Sequence, residues 1–592
     1  MKPKFIVGPP GTGKTRISLI DKYKECFPKY NPEKIVLLSH TNVAVGQILD
    51  AVMDLKEVKG YTRKDFEDRI CTIHHYCKHK LMGNKRLFSN EDLRDLCREE
   101  DGFRQSKERD IEKHPLLKFI KEARGNGRNL DEHWNHPDTD KKDCIDAHYN
   151  IKKITELNEV YENYKKDKKN RLQDYADMID EFNFIYSNED NPNSKESDVE
   201  VFIMDEAQDA NVPQLKAIKK IAKNIKDGHF YLVGDPDQTI YEYAGSDADS
   251  FHTDAAHPYE NGGKELDEGL RCGKAINEFC KKIISPIWKH YGYERTWLPA
   301  KYNKKYHKIP EGCKEGDIIE GHKYELTDLK PSKKLNILID KMRNTNQTFL
   351  FSFRGTPSEI RITGFLKYYG FEFAHIDNSA HVSRKELRCH FEWPKFISGE
   401  PKSLQQVKDF HFYLGRQALI HGAGKEDFKD RIKKDYTYDE LVKDKIFKPF
   451  LSKEFDLLRK ERDGERMIYI KKVLRRKVDW DGKIRIKYGN IHKAKGPTFD
   501  NVIGDLSLYR KKAESLFVQI RLLYTMFSRG IYDVWVLKSE TGKELGNYGH
   551  VPRPRPWSMD EDQFHRRWRP DWNEIENPDD NDRRKIFLKH EM

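Results

Sequence analysis

The sequence predicts an α/β chain with two parallel-sheet units, each interrupted by a mainly helical insertion. Three observations predict it. Short apolar runs end in glycine or acidic residues and pass into segments of helical spacing, the texture of strand–loop–helix units. Such units stand in two separated blocks. Within each block lies a long charged insertion, the first with apolar residues recurring at helical spacing and the second mixed in character.

The first block opens at Phe5-Ile6-Val7, a short buried strand. It breaks into Gly8-Pro9-Pro10-Gly11-Thr12-Gly13-Lys14-Thr15, and helical patterning runs from Arg16 to Phe27. Every fixed position of GxxxxGK[ST] is filled, in the strand–loop–helix context that motif requires. Glycines let backbone N–H groups approach phosphate oxygens, and the helix amino terminus adds a favourable field. Lys14 is placed to reach the β- and γ-phosphates, and the Thr15 hydroxyl to sit on Mg²⁺. Such a loop serves kinases, GTPases and motors alike, so it names a ligand and not an activity.

"IVLLS", Ile35 to Ser39, is a second buried strand, followed by "HTNVAV" and a helix through Leu55. "ICTIHHY", Ile70 to Tyr76, reads as a third strand with a polar exit. The first insertion follows, and "NEDNPNS", Asn188 to Ser194, breaks its run. The sheet pattern returns in "VFIMDEAQD", which leaves Asp205 and Glu206 at the carboxyl end of a strand, where ligands sit on a parallel sheet. "FYLVGDPDQTIYEYAG", Phe230 to Gly245, brings Gly234, Asp235 and Gln238 to the same edge. The second block holds the strand "TFLFSF", a turn and helix in "GTPSEIRITGFLKYYG", and the strand "FEFAHI". It resumes with "GNIHKAKGPTFDNVIGDL", "RLLYTMFSRG" and "DVWVLK". These readings divide the chain into 1–79 with 198–285, a helical insertion at 80–197, a second unit at 286–376 with 485–545, a second insertion at 377–484, and a charged, flexible tail at 546–592.

Composition bounds the class. The 592 residues allow about three to five folding units. A net charge of +11 suits an anionic partner. Nine scattered cysteines form no CxxC pair, which speaks against a zinc ribbon and points to a reducing compartment, so a cytoplasmic location is expected. No apolar stretch nears the ~20 residues of a membrane span, and "MKPKFIVG" breaks too soon for a signal peptide, so no membrane partner is expected.

Hydrolysis of a nucleotide needs a metal, a group to orient water, and positive charge on the transferring phosphoryl group. Asp205 is placed for Mg²⁺, directly or through water. Glu206 is the candidate base. Gln238 is the candidate γ-phosphate sensor. Arg271 in "EGLRC" and Arg529 in "FSRG" are candidate arginine fingers. Among 109 Lys and Arg residues a single arginine is ordinarily a solvated surface group, so only motif context singles these two out.

Taken in order, "GPPGTGKT", "HTNVA", "TIHHY", "DEAQD", "GDPDQTIYEYAG", "IHKAKGPTFD" and "RLLYTMFSRG" resemble the motif series of superfamily 1 DNA helicases of the UvrD/Rep/PcrA type. "YENYKKDKKNRLQDYADM" looks like the segment that precedes the DExx strand in that family. The resemblance covers roughly residues 1–75, 160–285, 345–376 and 488–540. It implies two RecA-like domains, with ATP and Mg²⁺ between them and single-stranded or tailed duplex DNA across their top. It implies an ATP-dependent helicase moving 3′ to 5′, with replication or repair proteins as further partners and a monomer as the expected state. Arg271 falls at the arginine of the family's "NYR" motif and Arg529 at that of the last motif. Tyr243 falls where the family stacks a Trp on a base, and a tyrosine face does the same work. Thr41, Asn42, Thr72 and His74 match the backbone-gripping motifs of the first domain, and His492 and Lys495 that of the second; such contacts are insensitive to sequence.

The chain departs from the family in three places. With Met1 only a few residues ahead of the first strand, the glutamine segment that reads adenine before the phosphate loop is expected to be missing. The "NYR" tyrosine is Leu270, and the "GLEF" glutamate is Thr498. Weakened base and sugar reading with intact triphosphate chemistry predicts relaxed nucleotide preference. No nuclease block follows the motor, and no duplex-splitting hairpin is recognisable. A translocase that remodels protein–DNA complexes, or a nucleotide-switched DNA-binding module, therefore stands beside the helicase. Intact Glu206, Gln238, Arg271 and Arg529 speak against the last. Repair, replication restart and viral genome replication all stay open.

Overall fold

A computed structural model of the chain describes residues 3–538, apart from 82–84, 105, 107, 109, 138, 168–170, 187–196, 226–227, 247–262, 293, 301–316, 323–331, 421–427, 429–433, 461–463, 477, 481 and 506–515. The 188–194 break and the 546–592 tail of the sequence reading lie outside the described residues. The chain divides into two compact units. One is Met1–Ile318 with Tyr509–Tyr532 and Leu545–Met592, and the other is Ile319–Leu508 with Asp533–Glu544.

The first unit begins with β1 (Lys4–Val7), α1 (Ile20–Cys26), β2 (Ile35–Ser39), α2 (Asn42–Met53), β3 (Ile70–Thr72) and α3 (Ile73–Lys80). The third strand is thus shorter than the sequence reading. Thr72 turns the chain by accepting a hydrogen bond from the His75 amide, and Ile73, Tyr76 and Cys77 then recur at helical spacing and are buried. The first insertion holds β4 (Arg86–Leu87), α4 (Asn90–Glu99), α5 (Asp101–Arg104), α6 (Pro115–Gly125), α7 (Leu130–Asn135), α8 (Lys142–Asp146), α9 (Ile151–Lys166), β5 (Leu172–Gln173) and α10 (Tyr175–Ile185). Next come β6 (Val201–Met204), α11 (Val212–Ala222), β7 (Phe230–Gly234), β8 (Lys264–Glu265) and α12 (Lys274–His290).

Six strands form one sheet in the order β3-β2-β6-β7-β1-β8, and its neighbouring strands run parallel. Alternate side chains go to opposite faces, as a period of two requires. Ile6, Ile35, Leu37, Val201, Ile203 and Val233 pack with Ile20 and Tyr23 of α1 and Ile48, Leu49 and Val52 of α2. Phe5, Val7, Val36, Leu38, Phe202, Met204 and Leu232 pack with α3, with Ile179 and Phe182 of α10, and with Ile218 and Ile221 of α11. Both faces are covered, which is why the strands read as unbroken apolar runs.

The insertion has a core of its own, drawn from Phe88 to Leu172 and including Leu93, Phe103, Phe119 and Leu157. Helix α10 falls inside the 80–197 span but belongs to the sheet's core. A buried ion cluster ties it to the insertion. Lys165 Nζ lies 2.9 Å from Glu162, 2.8 Å from Asp174 and 2.7 Å from Asp177. Arg124 of α6 reaches Asp177 at 2.9 Å and Asp180 at 2.7 Å.

The second unit contains β9 (Asp317–His322), α13 (Lys333–Asn344), β10 (Phe349–Phe353), α14 (Thr356–Tyr368) and β11 (Phe373–His375). Its insertion holds α15 (Arg384–Ile397), β12 (Lys402–Ser403), α16 (Leu404–Tyr413), β13 (Asp435–Tyr436), α17 (Tyr438–Lys443) and α18 (Gly464–Leu474). β14 (Ile486–Asn490), α19 (Ile491–Ala494), β15 (Phe499–Asp505), α20 (Leu516–Phe527) and β16 (Gly530–Lys538) follow. The sheet order is β11-β14-β10-β15-β16-β9. Phe349, Phe351 and Phe353 pack against α13, α14 and Tyr469, Ile470 and Val473 of α18. The insertion's separate core surrounds Trp393 and Phe447. Each insertion thus returns its last helix to the sheet it interrupts. Among the described residues, no helix is long and apolar enough to cross a membrane. All eight described cysteines are buried free thiols.

Candidate functional site

The phosphate loop leaves the carboxyl end of β1 beside β7, where the Gly8 amide donates to the Gly234 carbonyl at 3.3 Å. Gly11 and Gly13 adopt φ of 73° and 81°, a region only glycine enters without strain. A Cβ on Gly11 would also lie 2.5 Å from Arg271 Cβ, so the loop and the Arg271 segment need that glycine to approach. The Leu270 amide donates to the Gly11 carbonyl at 2.7 Å, which locks the two segments together. Pro9 and Pro10 are buried and offer no N–H, so they shape the loop; the Thr12 hydroxyl pins it by donating to the Pro9 carbonyl at 2.8 Å. A wide π-type turn, Lys14–Leu19, leads into α1.

Lys14 is buried, with Nζ donating to the carbonyls of Gly8 at 2.6 Å and Pro9 at 3.1 Å. Burial lowers its pKa, and the charges of Asp235 and Glu206 work against that shift. The Thr15 hydroxyl donates to Asp205 Oδ2 at 2.9 Å, so the two expected metal ligands meet. The other carboxylate oxygen, Oδ1, is buried without a hydrogen-bond partner. Burial, with Glu206 adjacent, pushes the Asp205 carboxyl up to about 7. A buried carboxylate with an orphaned oxygen beside a hydroxyl fits a divalent cation.

Glu206 follows the end of β6 in the left-handed region, φ 52° and ψ 38°. A non-glycine residue held there is strained, and surrounding bonds must hold it. Gln208 supplies one: its Nε2 donates to Glu206 Oε2 at 2.6 Å, while its Oε1 accepts from the Asp235 amide at 3.1 Å. Gln238 sits in the turn after β7 and donates to Asp235 Oδ2 at 2.7 Å. From behind, Arg295 reaches Asp235 at 3.1 Å, and Trp288 Nε1 donates to Asp237 at 2.8 Å.

Arg529, just past α20, groups with the first unit although the sequence reading placed 485–545 in the second. Its Nη2 donates to Gln238 Oε1, and its Nε to the Thr525 carbonyl at 3.0 Å. Arg521 of α20 is buried against Glu242, which anchors the same helix. Arg271 Nη1 donates to the Ser528 carbonyl at 3.3 Å. Burial, with Arg529 beside it, pushes Arg271 down to about 10, so it stays cationic at neutral pH. Lys14, Thr15, Asp205, Glu206, Gln238, Arg271 and Arg529 therefore gather at one edge of one sheet. Gln208, Trp288 and Arg295 are the supporting residues sequence reasoning missed.

The other expected contacts of the first unit lie near the carboxyl ends of strands in the same sheet. Thr41 and Asn42 are exposed at the start of α2, where Thr41 accepts from the Ala44 amide at 3.2 Å. Thr72 caps α3. His74 is no polar strand exit: it lies in the first turn of α3, its ring 5.1 Å edge-on from Tyr175 and its Nε2 3.5 Å from Gln214. Burial, with Lys121 adding to it, pushes its pKa down to about 4, so it is neutral at physiological pH. Tyr243 stands in a turn and is 54% exposed as a residue, which argues against a buried core aromatic. That turn meets α6 closely: a Cβ on Gly245 would lie 2.1 Å from the Gly125 carbonyl oxygen. In the second unit, His492 and Lys495 follow the carboxyl end of β14, and His492 Nδ1 is 2.9 Å from Asn490 Oδ1.

Residues 1–258 match the UvrD/REP helicase N-terminal domain. A protein named "Probable DNA helicase II homolog", from Mycoplasma capricolum subsp. capricolum, is 26% identical over 267 residues, covering 42% of this chain. The chain spans 34% of that relative's length. The matched segment carries the phosphate loop, Asp205, Glu206, Gln238 and Tyr243, and over it the chain is similar to the UvrD/REP helicase N-terminal domain.

Proposed function

We propose that this chain is an ATP-driven DNA motor that moves 3′ to 5′ along a single strand and opens duplex ahead of it. The observation that carries the reading is the convergence of Lys14, Thr15, Asp205, Glu206, Gln238, Arg271 and Arg529 within one unit. In it, the two RecA-like domains are built on the two six-stranded sheets, with Tyr509–Tyr532 grouped with the first, and the insertions elaborate them. Thr15 and Asp205 would hold Mg²⁺, which when bound supplies neutralising charge at the phosphates. Glu206 orients the attacking water, and Gln208 holds Glu206. Lys14, Arg271 and Arg529 place positive charge where the γ-phosphoryl charge spreads in the transition state. The Gln238–Arg529 contact links the sensor to α20, and so couples hydrolysis to movement of that helix.

Thr41, Asn42 and Thr72 in the first unit, and His492 and Lys495 in the second, grip the strand's backbone, and Tyr243 stacks on a base. The protein works in the cytoplasm as a monomer. Strand displacement on duplexes with a 3′ tail, a 5′ tail or no tail tests the reading. Displacement from the 3′-tailed substrate alone, dependent on ATP, is expected. Displacement from the 5′-tailed substrate alone would overturn the polarity. DNA-stimulated hydrolysis without displacement would replace unwinding by translocation.

A further inference from the structure

The second unit carries a basic, aromatic pocket on the edge of its sheet away from the motor motifs. Its position follows from topology. β10, β11 and β14 are parallel, so their amino ends lie together. Helices α13, α14 and α18 each run into one of those amino ends, so the three helix carboxyl ends converge there. The segment holding His492 and Lys495 follows the opposite end of β14. The pocket measures about 370 Å³ and is lined by Arg343, Tyr368, Tyr369, Lys472, Arg475 and Arg476, with no acidic residue in its wall among the described residues.

The ordinary reason for cations at this place is neutralisation of helix carboxyl ends. That work is already done by two residues. Arg485 donates to the Gln347 carbonyl at 3.1 Å and the Met342 carbonyl at 3.5 Å. Lys472 donates to the Tyr368 carbonyl at 2.8 Å, with its ammonium 4.6 Å from the Tyr368 ring centre. Three guanidiniums remain. Arg343 has one distant carboxylate, Asp340 at 3.9 Å, and lies over Tyr369. Arg476 lies over Phe371, and burial, with Arg343 nearby, lowers its pKa. The Arg475 guanidinium is exposed and has no hydrogen-bond or ion-pair partner among the described residues. Crowded cations without counter-charge favour an anion, and forked guanidiniums match phosphate oxygens. Tyr368 lines the pocket, is 48% exposed as a residue, and offers a stacking face.

We infer that this pocket is a second nucleic-acid contact, taking backbone phosphates of a single strand on Arg343, Arg475 and Arg476 with a base against Tyr368. Cations beside exposed tyrosine faces suit a strand whose bases are unstacked, whereas a duplex hides its base faces. The inference rests on the reading of the chain as a DNA-acting motor, and it adds a contact on the second unit.

The test is the salt dependence of binding, by fluorescence anisotropy, of a labelled single strand and of a blunt duplex to the full chain and its variants. Replacing Arg343 and Arg475 together by Ala is expected to reduce the magnitude of the log–log salt slope on the single strand by about 1.4, at about 0.7 per phosphate contact. Arg343→Lys with Arg475→Lys should retain most of the slope. Tyr368→Ala should weaken single-strand binding with the slope unchanged. Hydrolysis without DNA should match wild type in all of them, which verifies folding. An unchanged slope in the alanine pair overturns the inference, as does an equal loss on the blunt duplex. A wild-type-only rise in melting temperature with tripolyphosphate, alongside an unchanged DNA slope, would assign the pocket to a free polyphosphate and also overturn it. If wild type binds no DNA, the motor reading itself fails; if it binds and the slope is unmoved, only this pocket's role does.

Discussion

Replacing Gln208 by Ala tests how the candidate base is held. Gln208 is 1% exposed and makes two bonds at once, to the Glu206 carboxylate at 2.6 Å and from the Asp235 amide at 3.1 Å. A hydrogen bond to a charged group is worth about 1.5–3 kcal/mol. If that energy holds the strained Glu206 in its water-orienting position, losing it lowers kcat by about 10- to 150-fold. The stranded Asp235 amide adds a stability cost of about 1–3 kcal/mol. KM for ATP should change little, because Gln208 makes no bond to the phosphate loop. Gln208→Glu separates the two effects. It keeps an acceptor for Asp235 but sets a second carboxylate against Glu206, so kcat should fall while stability recovers. Steady-state ATP hydrolysis with saturating single-stranded DNA, alongside thermal melts, reads both. Wild-type kcat in a folded Gln208→Ala protein would refute the reasoning.

Further outcomes follow from other parts of the structure. Tyr243→Ala should weaken single-strand binding by about 1–3 kcal/mol, with DNA-free hydrolysis unchanged, and Tyr243→Trp should restore binding; anisotropy checks both. Burial alone would raise the Asp174 pKa, but Arg124 and Lys165 hold it down to about 2, from an ordinary value of 3.8. A carboxyl lowered on folding stabilises the fold above its unfolded pKa, and the gain is lost as pH falls from about 4 through about 2. Wild type should therefore lose about 2 kcal/mol more than Asp174→Asn over that window, measured by denaturant unfolding. Trp393 fills the second insertion's core, so Trp393→Ala should cost about 3–5 kcal/mol in the same measurement. With Leu270 and Thr498 in place of ring-stacking and ribose-reading residues, ATP, GTP and CTP should be hydrolysed at comparable kcat/KM; a strong preference for ATP contradicts this.

The sheets were legible because strands buried on both faces leave continuous apolar runs, as "IVLLS" and "VFIM" do. The phosphate loop and the DExx pair were legible because their chemistry is local. The helix at Ile73 was misread as strand because "ICTIHHY" is rich in β-branched and aromatic residues; the Thr72 cap and the spacing of Ile73, Tyr76 and Cys77 were the available signal. Helical spacing marked the first insertion as helical but not α10 as a helix of the sheet, since periodicity fixes a face and not its partner; α18 lies in the second insertion, whose mixed, charged sequence did not single it out. Arg295 and Trp288 were invisible because their partners lie 60 and 51 residues away and only folding brings them together. Arg529 was found by motif, but its grouping with the first unit depends on Arg521 meeting Glu242 across 279 residues.

The central claim is that one edge of the first unit's sheet hydrolyses nucleotide under the control of a bound strand. ATP hydrolysis by wild type and Lys14→Ala, each with and without single-stranded DNA, tests it most directly. The account predicts a rate that rises with DNA in wild type and falls by at least about 100-fold in Lys14→Ala, as for loss of a transition-state charge partner. A wild-type rate indifferent to DNA, or a folded Lys14→Ala protein that still turns over, would contradict it.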